Sequence, residues 1–137
     1  MNKYLFFVIS ILLSISTLVM NGQSQPSLTY IPDANFENYL ESNNMGNNVP
    51  NDNYVFTSAI DSVIALHIDN LSINDLEGIA SFTSLTHLDC SDNSLVSLDL
   101  SQNIHLTYLD ASSNMFLSFL DVTNGNTCEM IKHGIID

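Results

Sequence analysis

Residues 85–122, LTHLDCSDNSLVSLDLSQNIHLTYLDASSNMFLSFLDV, decide the fold. Leu85, Leu88, Cys90, Asn93 and Leu95 recur as Leu106, Leu109, Ala111, Asn114 and Phe116, the same spacing 21 residues later. Inside each unit lies a half-repeat, since Leu95, Leu98, Leu100 and Asn103 keep that spacing too. A unit this short cannot bury its apolar side alone. Successive units must stack, so that the inward Leu, Ile and Cys side chains form one continuous core. The pattern therefore reads as a solenoid, which displays side chains rather than enclosing a reaction chamber.

The offsets are those of a leucine-rich repeat with Cys in place of the third Leu. Upstream, Leu66, Ile68, Leu71, Ile73 and Leu76 hold the periodic positions of a first coil, although Leu71 stands where later coils have Asn. Terminal repeats are commonly atypical in this way. Leu76, Ile79, Phe82 and Leu85 fall three residues apart and predict a short helical turn. Residues 65–69, 87–91 and 108–112 are then three parallel strands on one face, with residues 97–101 and 120–122 extended on the opposite side. Asn93 and Asn114 turn the chain while their amides satisfy backbone groups that would otherwise be buried unpaired, and Asn103 does the same on the other edge. Cys90 reads as a buried structural thiol, because free Cys behaves as a small hydrophobe. Two cysteines, Cys90 and Cys128, make no disulfide scaffold. One irregularity stands out. From Asn93 to Leu95 is two residues, but from Asn114 to Leu117 is three. Either Phe116 points inward and the next half-coil shifts, or Leu117 does and a bulge absorbs one residue; the LDV at 120–122 favours the bulge.

Outside the repeats, residues 4–20 hold 13 apolar residues out of 17, behind Lys3 and ahead of small residues at Gly22 and Ser24. This is a signal peptide over residues 1–22; an uncleaved anchor is the second reading. Residues 29–62 form an N-terminal cap. Asp33 is placed to cap a helix over 34–43, whose apolar face is Phe36, Tyr39 and Leu40. Residues 47–53, NNVPNDN, are loop, without the ordered ligand spacing of a calcium loop. Residues 63–124 make about three coils, and residues 125–137 an irregular tail.

The charge excludes some partners. The chain carries 15 Asp and Glu against two basic residues, and loss of Lys3 with the leader leaves Lys132 alone, a net charge of −14. Such a surface repels nucleic-acid phosphates, and no stable membrane insertion is expected once the leader is removed. Aligning Leu66, Leu88 and Leu109 puts Ala65, His87 and Tyr108 in one outward column, His67, Asp89 and Asp110 in the next, and Asp69, Ser91 and Ser112 in a third. Asp99 and Asp121 align on the other side. The binding candidates are Tyr108, His87, His67, Asp89, Asp110 and Ser112. A zinc site is not expected, since side chains on a sheet face point roughly parallel instead of converging. Asp89 and Asp110 suit weak calcium better, but repulsion of ~1 kcal/mol in water requires no ion. No nucleophile elbow, oriented base or phosphate-cradling glycine loop is present, so no catalytic residue, metal or cofactor is assigned.

The segment IPDANFENYLE followed by LTHLDCSDNSLVSLDLSQN resembles secreted bacterial leucine-rich-repeat proteins in the style of the internalins, over residues 29–124. The resemblance implies export, a capping helix and a right-handed α/β solenoid that binds proteins or glycans at the cell surface without catalysis. The alternative is an N-terminal piece of a larger secreted adhesin or hydrolase with only a structural role.

Overall fold

The computed structural model describes residues 25–125 and the backbone of residues 129–131. The expected signal peptide, and Cys128, lie outside the described residues. Strand β1 (Leu28–Tyr30) pairs antiparallel with β2 (Tyr54–Phe56), and between them runs helix α1 (Ala34–Ser42). A second short helix, α2 (Thr57–Ile60), follows directly. Then come β3 (Ala65–His67), a 3-10 turn (Ile79–Ser81), β4 (His87–Asp89), β5 (Ser97–Asp99), β6 (Tyr108–Asp110), β7 (Phe119–Asp121) and β8 (Glu129–Ile131). Four strands make one parallel sheet in the order β3-β4-β6-β8, and β5 and β7 make a separate parallel pair. This is a leucine-rich-repeat-like arrangement, with the aliphatic ladder dry inside: Leu66, Ile68, Ile73, Leu85, Leu88, Cys90, Leu95, Leu98, Leu100, Leu106 and Leu109 are all buried.

The strands are shorter than the sequence pattern suggests, three residues each instead of five. The reason is local. The last residue of four strands is an Asp whose Oδ1 accepts the backbone N–H two residues on: Asp89 from Ser91, Asp99 from Ser101, Asp110 from Ser112 and Asp121 from Thr123, at 2.9–3.1 Å. These Asx turns bend the chain as soon as the strand ends. Asp92 and Ser113 then take left-handed backbone, φ 53° and 58°, one residue before Asn93 and Asn114.

Those asparagines tie coil to coil. Asn93 Oδ1 accepts from the amides of Leu71 and Ile73, and its Nδ2 donates to the carbonyls of Ile68, Cys90 and Ser91. Asn114 repeats the scheme one coil on, accepting from Leu95 N and donating to Cys90, Ala111 and Ser112. Asn103, on the other edge, donates to the carbonyls of Ile79 and Phe82.

At the irregular coil Leu117 is inside at 7% exposure and Phe116 outside at 67%. The extra residue is absorbed in the turn, where Leu117 N reaches Asn114 O much as Leu106 N reaches Asn103 O, both at 3.0 Å. Two features depart from the sequence reading. Glu129–Ile131, inside the stretch read as an irregular tail, is a strand whose Glu129, Met130 and Ile131 register on Tyr108, Leu109 and Asp110. Glu129 stands 21 residues beyond Tyr108, so the backbone keeps the period although the leucines have gone. The β1–β2 ribbon was not visible either, because three-residue strands carry no usable alternation.

The ribbon and α1 lie against the first coil. Asp33 Oδ1 caps the helix through Asn35 N and Phe36 N, while Oδ2 accepts Asn74 N from the coil at 2.8 Å. Phe36 stacks on Phe82 with ring centroids 6.1 Å apart. Gly78 sits at φ +96°, and a Cβ there would meet Ile31 Cδ1 and lie 2.6 Å from Tyr30 O. Only glycine allows that close approach.

Candidate functional site

The binding candidates read from the sequence, Ser112 apart, fall on the outward face of the four-stranded sheet. Its register puts Ala65, His87, Tyr108 and Glu129 in one row and His67, Asp89, Asp110 and Ile131 in the next. His67 and His87 are exposed, while Asp89, Tyr108 and Asp110 are half-buried. His87 and Tyr108 stack with centroids 5.7 Å apart and planes 23° from parallel. On the other side of His87 the row continues with Ala65, a bare methyl group. His87 and His67 are diagonal neighbours, not an opposed pair.

His87 is held by a neighbour. Thr86 Oγ1 lies 2.7 Å from His87 Nδ1 and also 3.1 Å from Ile64 O, the carbonyl to which it donates. Thr86 thus bridges the ring to the backbone leading into the preceding strand, β3, which restrains the plane of the imidazole.

The acidic members are partly committed. Asp89 Oδ1 takes both Ser91 N and Ser91 Oγ, and Asp110 Oδ1 takes Ser112 N, so one oxygen of each carboxylate holds a turn. Ser112, taken from sequence as a strand-face residue, belongs to the turn after β6, and its counterpart Ser91 is buried. In this third column Ser91 is buried, Ser112 is half-buried and Asp69 is exposed. The opposite sheet uses the same device: Asp121 is held by Thr123 N and Oγ1, and the hydroxyl bond, helped by the amide, pulls its carboxyl below the ordinary range.

Cys90 is inside, and burial together with the nearby Asp89 and Asp110 carboxylates pushes its thiol up to about 12. A thiol kept protonated is neither nucleophile nor ligand. Among the described residues no group of three or more His, Cys, Asp or Glu is arranged to hold a metal, and no helix is long and apolar enough to cross a membrane.

Sequence reading missed Glu37. It lies on α1 among exposed polar residues yet is 1% exposed, accepting Asp52 N and Asn53 N on Oε1. Burial is the largest influence on its carboxyl, which is raised above the ordinary 4.5. With Glu41, which accepts the amides of Asn47 and Asn48, it pins the polar loop that connects α1 to β2. Its role is to shape the loop, and a Glu between Phe36 and Tyr39 gives no sign of that.

Comparison with known proteins fits this geometry. Over 90 residues, 66% of the chain, the sequence is 36% identical to Internalin J of Listeria monocytogenes serotype 4b (strain F2365). The chain is an internalin-like bacterial leucine-rich-repeat protein. A solved structure described as the functional domain of InlJ from Listeria monocytogenes, including a cysteine ladder, superposes with a TM-score of 0.54 at 24% identity. That match covers 79% of this chain and 29% of the solved one. No family model matches. The chain spans only about 10% of the length of Internalin J. In the internalin-like fold described here, the inward positions just after β3, β4 and β6 are Ile68, Cys90 and Ala111, so cysteine fills one place in that column.

Proposed function

We propose that this chain is an exported, cell-surface or secreted module that binds a protein or glycan through the outward face of the β3-β4-β6-β8 sheet, without catalysis. In this reading residues 1–22 are the export signal, residues 29–62 with α1 are a cap, and residues 63–124 are the coils of a right-handed solenoid. The observation that carries it is the registered pair of rows, Ala65–His87–Tyr108 over His67–Asp89–Asp110, on a sheet face that no other described element covers. Stacked aromatic rings beside oriented carboxylates offer contact area and hydrogen bonds at low entropic cost. The non-catalytic part rests on the same atoms. The hydroxyl nearest to an imidazole, that of Thr86, is tied to Ile64 O, and the thiol of Cys90 is buried and protonated.

The test is binding of the purified chain to arrayed cell-surface proteins and glycans, repeated with His87→Ala/Tyr108→Ala. Loss of the captured ligand, with an unchanged melting curve, supports the face as the site. Undiminished binding by the double variant refutes it.

A second reading has one observation behind it: the outer edges of β7 and β8 have no strand partner among the described residues. An open parallel edge is what another coil would cover. In that reading the chain is the N-terminal piece of a larger secreted adhesin or hydrolase and has a structural role only. A fusion carrying one further coil would then melt at a markedly higher temperature than the chain itself.

A further inference from the structure

Resting on the proposed binding face, the geometry points to a partner class: we propose that the slot over Ala65 receives an arginine side chain of a protein or peptide. The slot follows from the register. In the row Ala65–His87–Tyr108, the His87 ring is stacked against Tyr108 on one side, while its other side faces the position of Ala65, whose side chain ends at Cβ. Adjacent parallel strands stand ~4.8 Å apart. The room over Ala65 is thus the thickness of one planar group beside the imidazole. His67 stands two residues along β3 from Ala65, and Asp89 is in register with His67 on β4.

Each wall suits a guanidinium. The bond between Nδ1 and Thr86 fixes the plane of His87, and Tyr108 backs it, so a flat cation meets an already ordered π surface. Asp89 lies two residues along β4, ~6.6 Å from His87. Its Oδ1 is anchored by Ser91 N and Oγ at 3.1 and 2.7 Å, so the carboxylate is oriented before the ligand arrives. A stacked guanidinium can then direct its fork at that carboxylate. The charge of the described residues favours a cationic ligand. Among the described residues there are 14 Asp and Glu and not one Lys or Arg; Lys3 and Lys132 lie outside the described residues. A lysine ammonium would meet the same negative field but makes no use of the planar slot, and this separates the proposal from general attraction to an acidic surface.

The experiment is a 15N-HSQC titration of the protein with N-acetyl-arginine methylamide and, separately, N-acetyl-lysine methylamide. The expected result is saturating shifts centred on Ala65, His67, His87 and Asp89 with the arginine compound, and weaker, scattered shifts with lysine. Asp89→Asn keeps an Oδ1 for the Ser91 turn but removes the charge, and should weaken arginine binding about tenfold or more. Asp99→Asn makes the same change to the same kind of turn on the opposite sheet, and should leave the affinity unaltered. Melting curves of both variants establish that they are folded. Equal response to lysine and arginine, shifts centred elsewhere, or equal loss in the two variants would each overturn the arginine slot. The wider reading fails separately. If arginine binds but the His87→Ala/Tyr108→Ala variant still captures the macromolecular ligand, the face is not the site. If arginine does not bind and that capture is lost, the face stands and only the class of partner is wrong.

Discussion

Replacing Asn93 with alanine is the sharpest test of how the coils are held. The side chain uses its full hydrogen-bonding capacity: Oδ1 accepts from Leu71 N at 3.1 Å and Ile73 N at 2.9 Å, and two Nδ2 protons serve Ile68 O at 2.7 Å, Cys90 O at 3.0 Å and Ser91 O at 3.1 Å. After truncation to alanine, Cys90 O still accepts from Asn114 Nδ2 and Ser91 O from Asn70 N, which leaves Leu71 N, Ile73 N and Ile68 O without this partner. Leu71 is half-buried and its amide can recruit water, but Ile73 and Ile68 are fully buried. Leaving a buried backbone group unpaired costs ~1–3 kcal/mol, so two of them cost about 4 kcal/mol. A domain of this size has only ~5–15 kcal/mol in total. At ~4–8 °C per kcal/mol, the melting temperature should fall by at least ~15 °C. Urea titration followed by circular dichroism gives the free energy directly. Asn93→Asp supplies the control: it keeps the acceptor for Ile73 and Leu71 but turns a carboxylate oxygen toward three carbonyls, so it should cost at least as much as alanine. Asn103→Ala should cost less, since the Ile79 and Phe82 carbonyls it serves also accept from Phe82 N and Leu85 N, and its Oδ1 has no partner among the described residues. An Asn93→Ala variant within ~1 kcal/mol of the parent, or an Asp variant more stable than the Ala variant, would refute the ladder argument.

Three further outcomes are expected. Gly78→Ala combines a positive φ with a collision against Tyr30 O and Ile31, and should lower stability by ~2–4 kcal/mol in the same urea assay, with loosening concentrated at the β1–β2 ribbon. Glu37 has a folded-state pKa raised above 4.5, so the native state holds its proton more tightly than the unfolded chain. Its contribution is therefore most favourable below pH 4.5 and is lost as pH rises through the raised value. Glu37→Gln should remove that decline, so the difference between variant and parent grows in the variant's favour over this window; parallel pH profiles would contradict it. Cys90, with its thiol pushed up to about 12, should resist maleimide at pH 8 in the native state and react once urea unfolds the protein.

Most of the inward architecture was legible because it depends on period alone. The spacing of Leu88, Cys90, Asn93 and Leu95 says which side chains meet the core, and stacking then fixes which residues become neighbours. Leu117 rather than Phe116 could be chosen because LDV downstream had to keep its own register. What stayed hidden had no period to show it. The β1–β2 ribbon is three residues wide, and Glu37 differs from an exposed helical Glu only in what folds over it. The strand β8 is a different case: its place was given by the 21-residue spacing, and the loss of leucine there concealed a backbone that persists.

The same logic separates scaffold from display on the outward side. The pattern Leu-Asp-x-Ser/Thr occurs at Leu88, Leu98, Leu109 and Leu120, on both sheets, and each time the Asp turns the chain through the same bond. A residue that recurs on both faces for one mechanical reason says nothing about a ligand. The row Ala65–His87–Tyr108 does not recur: each of its positions holds a different side chain, and Thr86 hydrogen-bonds the imidazole of His87. On the proposed binding face, this non-repeating row is what would set specificity once the turn bonds are set aside. The shared Asp89 adds charge to it because only one of its oxygens is occupied by the turn. The arrangement makes binding sensitive to side chains the fold does not need: substitutions at His87 or Tyr108 should move affinity with little change in stability, whereas those at Asn93 or Asn114 should do the reverse.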